Sequence, residues 1–160
     1  MRWGFGSDAK RGLGGEHGGI AVEFAIIFPI LMLLVFGVID IGHAWYMRHL
    51  MSDASREGAR YGTRYKTGSS NNRILPRNLS PTVTDYLLQT WGLQNLLPAD
   101  ANPDVALSGA AATETNPSIL AGEDFSVTIT AQKNWFVLGR LLPGFGDSTT
   151  LRVTTTMTCE

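Results

Sequence analysis

The sequence predicts an α+β fold in which a long N-terminal transmembrane helix extends out of the membrane and packs on a small antiparallel sheet. Three observations predict it. Phe24 to Ile39 is an uncharged apolar run of sixteen residues near the N-terminus. The chain then continues with no helix breaker before Thr67-Gly68. Far downstream, two segments alternate strictly between apolar and polar residues, the pattern of a strand with one covered face.

The apolar run spans roughly 24 Å as a helix, a little short of a hydrocarbon core of about 30 Å. Ile20–Val22 and Ile41–Met47 bring it to spanning length, with Glu23 and Asp40 at its two borders. Trp45 and Tyr46 stand at the outer end, where amphipathic aromatics favour the membrane interface. Pro29 removes one backbone donor inside the run, so a mild kink is expected there. The preceding residues 1–18 are short, glycine-rich and hydrophilic. An ordinary secretory signal is the second choice for this end, because the glycine pair precedes the apolar run and a usual cleavage site follows it.

Beyond Tyr46, Ala54, Gly58 and Gly62 recur every four residues and form a stripe of small side chains on one helix face. Such a stripe permits close packing of a neighbouring helix or of the chain's own C-terminal layer. Arg56, Arg60 and Arg64 form a second row, read as a solvated face, with Asp53 and Glu57 each three residues before an arginine. Gly68–Asn72 is expected to be a loop. Ser80 is expected to cap a short helix with Pro81 at its first position, running to about Trp91 and stopped by Gly92. Leu96–Pro103 reads as irregular, Val105–Gly109 as a short strand and Ala110–Pro117 as a polar loop. Phe125–Gln132 and Leu151–Thr158 are the two alternating strands, and Trp135–Leu142 is a connection bulging over the core.

A formal net charge of −1 gives no general attraction to nucleic acid or anionic lipid. Cys159 is the sole cysteine, so no intramolecular disulfide forms. His17, His43 and His49 make no metal pair, because His43 and His49 are six apart and fall on different helix faces. No nucleophile elbow or phosphate-binding glycine loop is present, and the glycines at 144–146 form a turn. Asp100, Asp104, Glu123 and Asp124 are read as solvated loop acids. The expectation is therefore a chain with no enzymatic activity, no cofactor and no metal.

The segment HGGIAVEFAIIFPILML resembles the processing site of type IV prepilins, particularly the type IVb branch. Cleavage between Gly18 and Gly19 makes Glu23 the fifth residue of the mature chain and Phe24 the sixth. The resemblance implies that Glu23 sets subunit register by meeting the free amine of a neighbour's first residue, which satisfies a carboxylate otherwise costly at the hydrocarbon edge. The segment GVIDIGHAWYMRHLMSDASREGARYG is similar to the TadE-like family, minor pseudopilins of Flp/Tad pilus systems. Asp40 and Gly42 match the family's acid and glycine at the end of the membrane run. Ala54, Arg56, Glu57, Gly58, Ala59, Arg60 and Tyr61 match its A-x-R-E-G-A-R-Y. Met157 and Glu160 loosely fit a family C-terminus, with Thr158 in place of an arginine.

The resemblance implies a pilin-like organisation: a prepilin-type leader over 1–18, the transmembrane and extended helix over 19–66, and a small α+β domain over 67–160. It implies a prepilin peptidase, other pilins or pseudopilins and the pilus-assembly machinery as partners in a bacterial inner membrane, with no nucleic acid. Ala54, Gly58 and Gly62 would support helix packing. The N-terminus would be cytoplasmic and the C-terminal domain periplasmic, or extracellular if the protein enters a filament. A count of positive charge points the other way, since Arg48 to Arg77 holds seven Lys/Arg against two acids while the leader holds three Lys/Arg. The alternative function is an uncleaved membrane-anchored binding module; an anchored periplasmic enzyme has no motif behind it.

Overall fold

A computed structural model describes residues 16–69, 71–141 and 146–160. Residues 1–15 of the expected leader, Ser70 of the expected loop and Leu142–Phe145 of the connection lie outside the described residues.

One helix dominates. α1 runs from Glu16 to Thr63, 48 residues, and continues through Pro29. At 1.5 Å per residue it is about 72 Å long. It ends at Thr63, three residues before the expected boundary at 66, where Thr63 Oγ1 bonds back to the Ala59 carbonyl (2.9 Å). Its two halves have different surroundings. Most side chains from Ile20 to Ile41 are exposed, whereas Met47, Met51, Ala54, Ala59 and Tyr61 are buried in the core.

The sheet has three antiparallel strands in the order β1-β2-β3: β1 Asp104–Ser108, β2 Asp124–Asn134 and β3 Ser148–Thr158. Both strands expected from alternation are present and longer than expected, and β1 ends at Ser108 because Gly109 turns the chain at φ +97°. Side chains alternate between faces along a strand, so one register sends Phe125, Val127, Ile129 and Ala131 of β2 inward. Met157, Thr155, Val153 and Leu151 of β3 stand opposite them. α1 lies across this face, in contact with both β2 and β3. The outer face is polar, with hydroxyl pairs Ser126–Thr156 (2.7 Å) and Thr128–Thr154 (2.9 Å) bridging the strands.

The connection between helix and sheet wraps the remaining core. α2 covers Val83–Asp85 and continues as one wider π turn over Tyr86–Thr90, burying Val83 and Leu87. Its cap is Thr82, two residues later than the expected Ser80: Thr82 Oγ1 accepts from the Asp85 N–H (3.1 Å). Pro81 accordingly lies outside the helix. Gly92, expected as the stop, does take the left-handed conformation (φ +83°), and a further turn, α3 Leu93–Leu96, follows it. The expected polar loop after β1 contains α4, Ala110–Thr113, because Ala111 is drawn into the core. After β2 the chain forms α5, Leu138–Leu141.

Candidate functional site

The outer half of α1 is docked on its own domain through the small-residue stripe and the residues beside it. A Cβ added to Gly58 would stand 2.6 Å from Leu87 Cδ1, and one added to Gly62 would overlap the Phe125 ring. Glycine at 62 lets β2 come this near the helix axis, and glycine at 58 leaves room for the end of the Leu87 side chain. Ala54 and Ala59 are fully buried at the same interface. Ser55 Oγ meets Thr155 Oγ1 at 2.7 Å, fixing the helix against β3.

The polar members of the stretch hold α2. The Tyr61 ring stacks on Tyr86 at 4.1 Å between centroids with planes 6° apart, and the Tyr61 hydroxyl donates to the Pro81 carbonyl (3.0 Å). The Tyr86 hydroxyl donates to Glu57 Oε1 (3.2 Å), while Arg60 Nε donates to Glu57 Oε2 (3.0 Å). The Arg60 hydrogen bond holds the Glu57 carboxyl below its ordinary range. Burial pushes the Tyr86 hydroxyl above its usual value, and the neighbouring Glu57 charge adds to this. Lys66 Nζ covers the other side of Tyr61 at 3.8 Å from the ring centroid. Arg56 and Arg64 are exposed.

At the other end of the interface, Asp40 is completely buried and surrounded by donors. The backbone N–H groups of Phe136 (2.9 Å), Val137 (3.0 Å) and Leu138 (3.1 Å) all point at its carboxylate, which thereby caps the entry to α5. Lys133 Nζ, from a side chain 1% exposed, stands 3.4 Å from Asp40 Oδ1 and also donates to the Asn134 carbonyl. The Trp135 and Phe136 rings flank this ammonium at 5.0 and 4.5 Å. Asp40 therefore ties the border of the apolar run to the far end of β2.

The family comparison falls on this same helix. A family model described as TadE-like protein matches residues 18–60. Over residues 18–60 the chain is similar to that family. No curated protein and no solved structure matches the chain. The TadE-like segment begins at Gly18 and takes in the exposed apolar half of α1, Asp40 and most of the docking face. The matched stretch includes the part of α1 that is long and apolar enough to cross a membrane.

The remaining expected site residues are placed as follows. Gly18 and Gly19 lie in the first turn of α1, and Glu23 and Phe24 are exposed on its projecting half, with Phe24 5.3 Å from the Phe28 ring. Gly42 is exposed with nothing within 4 Å of an added Cβ, away from the domain. Met157 faces inward from β3, and the exposed Glu160 donates its N–H to the Thr63 carbonyl (3.4 Å). Among the described residues, no group of three or more His, Cys, Asp or Glu side chains converges to hold a metal ion. Asp100 instead accepts from Asn134 Nδ2 (2.6 Å).

Sequence reasoning missed Lys133, Phe136 and Tyr86. A signal for Lys133 existed. The inward series Phe125, Val127, Ile129, Ala131 continues two residues further onto it, and a lysine on a buried face requires a carboxylate partner.

Proposed function

We propose that the chain is a membrane-anchored minor pseudopilin that takes part in assembling a Flp/Tad-type (type IVb) pilus, acting by helix packing and not by catalysis. The single observation behind this is the TadE-like match over residues 18–60, which starts at Gly18, where the proposed leader would end. A prepilin peptidase would cut between Gly18 and Gly19. Two adjacent glycines weaken a helix by about 1 kcal/mol each relative to alanine, so this end opens readily to a protease. Glu23 would then sit near a new N-terminus and pair with the amine of a neighbouring subunit, and Phe24 would pack beside it. The N-terminus would face the cytoplasm and the folded domain the periplasm.

The exposed half of α1 fits such a role, since its apolar surface is left for lipid or for other helices. The test is a chromosomal deletion in the native host, scored by electron microscopy of surface filaments. Loss of filaments, restored by the wild-type allele and not by Gly18→Lys, is expected. Normal filaments in the deletion strain would contradict the role.

A further inference from the structure

The TadE-like helix is one route from this protein into the membrane; the base of the folded domain offers a second. Leu138 Cδ2 lies 3.6 Å from the position of a Cβ on Gly37. Gly37 is inside the apolar run, about 4.5 Å along the helix axis on the membrane side of Asp40. The connection after β2 therefore reaches past the border of the run instead of stopping above it. It carries Phe136, 62% exposed, while Trp45, 68% exposed, and Tyr46 are exposed on α1 within six residues of Asp40. Phe136 is held in place by His43, whose ring stacks on it at 5.6 Å, and by its N–H bond to Asp40.

The backbone donors and the buried charges of this connection, which would oppose insertion, are met within the protein. The N–H groups of residues 136–138 are taken by Asp40, and the Asp40 charge is met by Lys133 within the protein. An unsatisfied amide or an unpaired charge would strongly oppose entry into hydrocarbon. Phe136 itself points outward as an exposed aromatic ring, the kind of side chain that favours the interface.

From this geometry we infer that the Phe136–Leu138 connection is a second membrane contact, seating the folded domain directly on the lipid interface with Phe136 in the headgroup–acyl boundary. The inference rests on α1 spanning the bilayer. Continuity with that helix singles out lipid as the occupant of this surface.

The test uses the full chain, with Cys159→Ala, in vesicles of phosphatidylcholine containing one quarter phosphatidylglycerol. Nitroxide labels are placed singly at Phe136→Cys, Leu31→Cys and Thr158→Cys. Collisions with oxygen and with a water-soluble nickel chelate report depth. Thr158 pairs with Asp124 at the end of the sheet opposite Lys133 and serves as the aqueous reference. Expected is a several-fold higher oxygen-to-nickel ratio at Phe136 than at Thr158, unchanged on dilution of protein in lipid. Equal ratios at Phe136 and Thr158, with Leu31 in hydrocarbon, would overturn this inference alone. An aqueous Leu31 would overturn the membrane anchor and this inference together. Protection of Phe136 that vanishes on dilution would make a second copy the occupant and overturn the lipid assignment.

Discussion

Asp40 and Lys133 do not hold each other equally. Removing Lys133 leaves the carboxylate with three backbone N–H donors, so part of its charge is still met. Removing Asp40 leaves three amides unpaired and a buried ammonium with the Asn134 carbonyl and two rings but no counter-charge. Breaking a buried pair by deleting one partner costs about 3–5 kcal/mol, and the larger loss belongs to the side that orphans more groups. Asp40→Ala should therefore destabilise by about that much and Lys133→Met by clearly less, measured by chemical denaturation in detergent. The reverse order would contradict the arrangement. Cys159 makes a simpler case. Burial pushes its thiol above the ordinary range, so little reactive thiolate forms in the folded protein. Alkylation at pH 8 should be slow in the native state and fast in denaturant, followed by intact mass; rapid native labelling would show the site to be open.

The docking of α1 on the domain is decided by where a methyl group fits. In Gly58→Ala and Gly62→Ala the gain in helix propensity, about 1 kcal/mol, competes with overpacking of about 1–3 kcal/mol. Gly62 faces the ring of fully buried Phe125, while Gly58 faces the end of the flexible Leu87 side chain. Thermal unfolding should rank Gly62→Ala as the more destabilised, with Gly42→Ala neutral or stabilised because its surroundings are open. Stability of this element should also depend on pH. A carboxyl held below its unfolded value contributes stability that is full above that value, 4.5 for Glu57, and lost as pH falls through the lower folded one. Glu57→Gln should flatten the acid side of the stability curve below about pH 4.5, and an unchanged slope would show the Arg60–Glu57–Tyr86 link to be inert.

At the scale of the whole molecule, the two layers were legible because each rests on a period. Phe125 to Gln132 and Leu151 to Thr158 alternate, and the run from Phe24 to Ile39 is apolar on all sides, so strand and helix could be told apart from one chain. What the periods do not carry is pairing between distant elements. The stripe at Ala54, Gly58 and Gly62 allowed either a neighbouring helix or the chain's own layer; Leu87 and Phe125 occupy it here. Asp40 was recognised by resemblance, yet its partners lie more than ninety residues away, on a β2 end where alternation passes from alanine to lysine. The cap at Thr82 in place of Ser80 shows the limit of local rules when two hydroxyl residues flank a proline.

Asp40 divides α1 into a half that its own domain covers and a half that it does not. Under the proposed function the uncovered half would begin, after processing, at Gly19 and lie in a membrane. Intact mass and N-terminal sequencing of the protein extracted from membranes of its native host test this most directly, beside a Gly18→Lys variant. Expected is a mature chain starting at Gly19, with the variant left at full length. A full-length wild-type chain, or one starting after Ala44, would contradict the pseudopilin assignment and leave a membrane-anchored or secreted domain in its place.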